Sequence, residues 1–120
     1  MTTRQAKGAA AEQLAADYLR REGLSVIERN FRVRGGEIDL VCRDGKATVF
    51  VEVRLRSRSD FGGAAASITA AKQARLILAA RHWLLRNGER PCRFDCVLLD
   101  GLDVHNAHHI EWLRDAFSAD

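Results

Sequence analysis

Asp39 and Glu52 stand thirteen positions apart, with Glu37 two residues before the first and Arg54 two residues after the second. All four fall in GEIDLVCRDGKATVFVEVR, residues 36–54, which otherwise reads as two apolar strands around a turn. A carboxylate inside a sheet is costly unless it is paired, hydrogen-bonded or bound to a cation. Side chains alternate along a strand, so Glu37, Asp39 and Val41 are expected on one face and Ile38, Leu40 and Cys42 on the other. On the next strand Phe50, Glu52 and Arg54 share a face, opposite Val49, Val51 and Val53. A turn centred on Asp44-Gly45 sets Asp39 against Phe50 and leaves Asp39 and Glu52 as diagonal neighbours, about 7 Å apart at most. A four-residue loop sets them directly opposite. In either register the acids gather and Arg54 lies beside them. A divalent cation relieves the repulsion of such a group, and oxygen ligands suit Mg²⁺ or Mn²⁺. Pairing with the many nearby arginines relieves it too, and spacing alone does not separate the two.

The elements that must position these residues follow from periodicity. Residues from about Arg4 to Glu22 carry Ala11, Leu14, Ala15 and Tyr18 at helical spacing, with Gly23 as the stop. Leu24 to Phe31 reads as a strand, Arg32 to Gly35 as a turn, Gly36 to Arg43 and Ala47 to Leu55 as a hairpin through Asp-Gly. A polar loop from Ser57 to Ala65 leads into a second helix from about Ser67 to Asn87, with Ile68, Leu76, Ala79 and Trp83 on its buried side and Gly88 closing it. Arg93 to Leu99 is a fourth strand, and His109 to Leu113 a short fifth. Three strands joined by short turns form a meander, whereas a helical crossover permits a parallel fourth strand. The expected fold is an α/β sandwich with a mixed central sheet, a single domain over residues 1–120.

Composition agrees with that size. The chain has 120 residues, 47% of them hydrophobic and 29% charged, enough for one core without disulfides. No apolar run approaches a membrane span and the N-terminus lacks a signal-peptide core, so a soluble, cytoplasmic protein is expected. Cys42, Cys92 and Cys96 lie in strand-like contexts and read as small core hydrophobes. The net charge of +3 is mild, so the placement of the basic residues matters more than their number.

Asp39, then about a dozen residues, then Glu52-Val53-Arg54 resembles the Asp…Glu-x-Lys signature of PD-(D/E)XK nucleases. KGAAAEQLAADYLRREGLSVIERNFR, GEIDLV, VFVEVR, the FG of DFGGA, Lys72 and RFDCV, in that order, resemble the YraN-like uncharacterised bacterial proteins, which are related to archaeal Holliday junction resolvases in that superfamily. The resemblance covers nearly the whole chain. It implies a restriction-endonuclease-like α-β-β-β-α-β sandwich, with Asp39, Glu52 and the Val53 carbonyl as ligands of Mg²⁺ or Mn²⁺. It also implies that Glu12, on the first helix, joins the site. Glu37 belongs to the GEID segment in a structural or supporting role. Arg54 departs from the usual lysine. Arginine stays protonated and cannot act as a general base, though it can hold a phosphate or stabilise developing charge. Lys72 is a candidate for a migrated lysine, or an ordinary helix-surface residue.

Arg54, Arg56 and Arg58 alternate, Arg32 and Arg34 precede the acidic strand, and Arg75 sits one turn from Lys72. These flank the proposed site where phosphate contacts are wanted, or are ordinary solvated cations. The expected partner is nucleic acid, DNA foremost, read by structure and backbone because no base-reading motif is present. A homodimer accords with the resolvase resemblance, although the chain shows no distinct dimer motif. His105, His108 and His109 lack the spacing of a zinc site. Asp95 is expected to cap or pair near the site edge rather than to bind metal. Three readings follow: a metal-dependent nuclease on structured or branched DNA, a non-catalytic nucleic-acid binder on the same fold, and a protein-interaction module.

Overall fold

The computed structural model describes residues 3–56, 68–100 and 109–119. Helix α1 (Thr3–Arg21) is followed by strands β1 (Ser25–Val33), β2 (Gly36–Asp44) and β3 (Ala47–Arg56), helix α2 (Ala70–Asn87), and strands β4 (Cys92–Asp100) and β5 (His109–Phe117). The sheet has the order β1-β2-β3-β4-β5. Its β3–β4 pair is parallel and every other pair antiparallel. This is the mixed α/β sandwich expected from the sequence, with β5 nearly twice as long as the five residues anticipated. The apolar run of β4 is what a strand covered on both faces requires.

Each helix covers one face. From α1, Ala11, Ala15, Ala16 and Leu19 are buried against Leu40, Cys42, Val49, Val51, Val97 and Leu99. Three alanines in that stripe let the helix backbone lie close to the sheet. From α2, Leu76, Ala79, Ala80 and Trp83 pack on Phe31, Ile38, Val41, Phe50 and Phe94. Ile68 is buried but precedes this helix, whose N-cap is Thr69, accepting from the Lys72 N–H at 3.2 Å. Gly36 lets α2 approach β2: a Cβ there would stand 2.6 Å from the Arg75 carbonyl oxygen. Cys42 and Cys96 are core residues as anticipated, and Cys92 is exposed.

Two features of the hairpin differ from the simple alternating picture. The turn lies at Gly45-Lys46, so Asp44 pairs with Ala47 and Leu40 with Val51. Of the two registers expected, this is the one that directs Asp39 towards Glu52 rather than Phe50, and the β2–β3 pairing ends at Leu40. The second difference is a face switch. Leu40 packs on the α1 side but Ile38 on the α2 side, where strict alternation would keep them together. The cause lies in β1: Asn30 is left-handed at φ 52, and the pairing passes from Arg29↔Leu40 to Phe31↔Ile38 around it. The strand pair twists at Asn30 and Asp39, and β2 leaves its ladder with β3 at that point.

Candidate functional site

Where β2 leaves β3, the Asp39 carboxylate takes the place of a strand pairing. Its Oδ2 accepts the Val53 N–H at 2.8 Å. Asp39 therefore lies in the gap between the strands rather than on a face with Val41. Burial pushes its carboxyl up to about 7, helped by the charges of Glu52, Glu12 and Glu37 and opposed by the Val53 hydrogen bond. Glu52 is also raised, chiefly by burial, against the pull of Arg54.

Glu12 enters from α1, half-buried and hydrogen-bonded to the Asn30 side chain. Burial raises its carboxyl, with Arg32 and Arg29 opposing. Glu12, Asp39, Glu52 and Glu37 stand near enough for their charges to act on one another. Glu37 itself pairs with Arg32 across 3.6 Å, both side chains being well exposed.

Basic residues share the cleft with the acids. Glu37, Glu52, Arg54, Lys72, Arg75 and Leu76 line one cleft of about 150 Å³. Glu52 and Arg54 share a face of β3, as alternation requires, and that face looks towards α2. The first turns of α2 bring Lys72 and Arg75 to the same cleft, so Lys72 is placed with the acids. Among the described residues, no three His, Cys, Asp or Glu side chains ring a single point closely enough to form a complete metal cage.

The remaining candidates divide. Arg34 is exposed beside the turn before β2, while Arg32 lies within β1 and pairs opposite Glu37 instead of belonging to the turn. Arg56 shares Arg54's face but is largely buried in a bidentate contact with Asp100, at 2.8 and 3.0 Å, with Glu111 at 3.8 Å. Arg58, His105, His108 and the Phe61-Gly62 pair lie outside the described residues. Asp95 is fully buried and accepts from Arg93 Nε, Trp112 Nε1 and the Asp115 N–H at 2.9–3.2 Å. It is a structural tie between β4 and β5.

Sequence reasoning did not single out Asn30 or Gly36. Asparagine is disfavoured in strand interiors, so Asn30 in the middle of IERNFR was the available signal for a left-handed kink.

The model of the uncharacterised protein family UPF0102 matches residues 11–99. The chain belongs to UPF0102. Relatives of the same family name include one from Dechloromonas aromatica, 62% identical over 118 residues, covering 98% of this chain and 93% of the relative. One from Methylobacillus flagellatus is 60% identical over 109 residues, covering 91% and 94%. One from Nitrosomonas europaea is 55% identical over 112 residues, covering 92% of each. The UPF0102 match spans α1 from Ala11 to Leu99 in β4, and so contains every acidic and basic residue of the cleft.

Proposed function

We propose that this UPF0102 chain is a divalent-metal-dependent phosphodiester hydrolase acting on structured or branched DNA. The observation that carries the reading is one small cleft shared by Glu52, Glu37, Arg54, Lys72 and Arg75, with the buried Asp39 close enough to Glu52 for their charges to act on each other. Acids whose carboxyls are raised by burial, and further by one another's charge, are primed to take a cation, and the cations of the same cleft suit a phosphate.

The donors fit a hard divalent ion. Asp39 and Glu52 offer carboxylate oxygens. In an extended strand the N–H and C=O of one residue point the same way, so the Val53 carbonyl opens towards the gap into which its N–H donates to Asp39. Mg²⁺ commonly takes only one or two protein carboxylates, filling its remaining positions with water and substrate phosphate, so a complete three-residue cage is not required. When bound there, Mg²⁺ or Mn²⁺ supplies charge neutralisation and lowers the pKa of water. The chain's own residues do the rest. Arg54 holds the phosphate and stabilises developing negative charge. Lys72, reaching in from α2, orients water or the leaving oxygen. Glu12 and Glu37 shape the field around Asp39.

Arg54 also favours a second reading, a nucleic-acid binder that does not cut, because arginine cannot supply the neutral amine that lysine can. One experiment separates the two: Mn²⁺ titration by calorimetry, followed by cleavage assays on four-way junction, flap, duplex and single-stranded DNA. The hydrolase reading requires Mn²⁺ binding that Asp39→Asn with Glu52→Gln abolishes, and cleavage of at least one substrate above that double variant. Mn²⁺ binding without cleavage selects the binder. Unchanged Mn²⁺ affinity in the double variant refutes the site.

A further inference from the structure

Helix α2 carries Lys72, Arg75, Arg81 and Arg86 and no acidic residue over its 18 residues. The cations are not spread evenly. At 100° per residue, Lys72, Arg75 and Arg86 fall with His82 within about 80° of arc on one flank, while Arg81 lies on the other side of the helix. The structure shows which flank that is. A Cβ at Gly36 would stand 2.6 Å from the Arg75 carbonyl oxygen and 3.0 Å from the Ala79 nitrogen, one at Gly35 would stand 3.3 Å from the Leu78 side chain, and the Arg86 guanidinium lies 5.4 Å from the centre of the Phe31 ring. The basic flank therefore runs along the β1–β2 side of the helix. The opposite flank carries Gln73, Ile77, Leu84 and a single arginine, Arg81, and its Ile77 and Leu84 pack towards the core.

We propose that this flank is the track on which the DNA backbone leaves the cleft, held by Lys72, Arg75, His82 and Arg86 with Arg34 on the facing bank. The proposal rests on the phosphodiester reading of the cleft and adds where the substrate lies beyond it. Lys72 and Arg75 belong to both, so the track begins inside the cleft and is continuous with it. From Lys72 to Arg86 the helix advances about 21 Å at 1.5 Å per residue. That equals roughly six steps of a duplex strand at 3.4 Å each.

The charge pattern names the partner. Of the carboxylates beside this flank, Glu28 is engaged by Trp83 Nε1 at 2.9 Å and Glu37 by Arg32 at 3.6 Å, and Glu52 lies at the cleft end, where Lys72 and Arg75 begin the track. Among the described residues Arg34, Arg75 and Arg86 form no ion pair with an acid inside 4 Å. A second copy of so basic a helix would repel this one, whereas a polyanion complements it. Arg56, expected from the sequence among the phosphate contacts flanking the site, is instead committed to Asp100 and Glu111.

The test measures binding of a duplex of about 30 base pairs and of a four-way junction in EDTA, from low to moderate salt. The compared proteins are the parent, Arg75→Gln/Arg86→Gln, Arg75→Lys/Arg86→Lys, and Arg20→Gln/Arg21→Gln at the far end of α1. Glutamine keeps much of the stem, and thermal melts confirm folding. The expected result is a log–log salt slope shallower by about 0.9 for each lost contact in the glutamine pair. The lysine pair should restore the slope and the α1 pair should leave it unchanged. An unchanged slope in the glutamine pair, or an equal loss in the α1 pair, overturns the track. So does a parent that ignores DNA but sediments with anionic phosphatidylglycerol vesicles, since Leu78 and Leu85 are exposed beside these cations. Mn²⁺ calorimetry on the same proteins reports the cleft separately. Failure there, with slopes as expected, removes the hydrolase reading and leaves the track standing.

Discussion

On the hydrolase reading proposed above, Arg54 is the residue on which the difference between a working and a weakened site turns. It shares Glu52's face and lines the cleft with Lys72. Arginine offers a fixed fork of donors but no accessible neutral form, whereas a lysine near a metal can lose enough basicity to assist proton transfer. Arg54→Lys is therefore expected to raise Mn²⁺-dependent cleavage by about tenfold or more, roughly 1.4 kcal/mol of barrier. Arg54→Ala should lower both cleavage and phosphate affinity. Initial rates on a four-way junction, with Asp39→Asn as blank, decide the matter. A slower lysine variant that still binds metal and DNA would show arginine to be an adapted catalytic group. Lys72→Met offers a parallel check: a loss of cleavage with Mn²⁺ affinity intact is expected if Lys72 orients water or the leaving oxygen.

At the scale of elements, the site depends on Gly36 and Asn30, and the fold on a separate tie at Asp95. Gly36 permits α2 to lie against β2. An alanine there drives a methyl to 2.6 Å from the Arg75 carbonyl oxygen, a backbone atom that cannot swing away. Gly36→Ala should cost about 1–3 kcal/mol, as overpacking does, and should displace Lys72 and Arg75 from the acids. Urea denaturation measures the first effect and DNA affinity the second. Asn30 supplies the left-handed kink that frees Asp39 from the ladder, and its side chain reaches Glu12. Asp95 ties β4 to β5 with no place in the cleft. Removing its carboxylate leaves Arg93 beside Asp44 alone and strands the Trp112 and Asp115 donors. Asp95→Ala should cost on the order of 3–5 kcal/mol while sparing Mn²⁺ affinity in whatever fraction folds. A large loss of metal affinity in that folded fraction would mean Asp95 does act on the site.

For the whole molecule, the cluster of acids makes stability depend on pH. Asp39 rises from the ordinary aspartate value to about 7 on folding. Between roughly pH 4 and 7 the folded chain then holds a proton that the unfolded chain has released. Stability from this group is full below about pH 4 and is lost as pH climbs through 7. Glu52 and Glu12 are raised as well and add to the same slope. Asp100, held low by Arg56, works in the opposite sense and only at more acid pH. The metal-free protein should melt at a lower temperature at pH 8 than at pH 5.5. Asp39→Asn should flatten that difference. Mn²⁺ at a hundred times its dissociation constant should restore about 2.7 kcal/mol to the parent at pH 8. Calorimetric melts of the two proteins, with and without Mn²⁺, test all three expectations together, and a parent whose melting point climbs from pH 5.5 to 8 would contradict the burial of Asp39.

Element order, the two helix stripes, the mixed sheet and the pairing of Glu52 with Arg54 on one face were all legible in the chain. Each rests on a local period of 2 or 3.6 residues, on Asp-Gly, or on the length of a crossover. The company of Glu12, Asp39 and Glu52 was legible through family resemblance as much as through spacing. Three things were decided only by the tertiary structure. The face switch between Leu40 and Ile38 comes from one left-handed residue on a neighbouring strand, which a rule of strict alternation along β2 cannot register. The separate fates of Arg54 and Arg56, one facing the cleft and the other bound to Asp100, depend on a partner 44 residues away. Lys72 meets the acids because Gly36 lets α2 settle against β2, a close approach between segments whose periodicities carry no information about each other. Local pattern determines which element each residue joins. The distance between a lysine on one element and a carboxylate on another is set only when the layers pack.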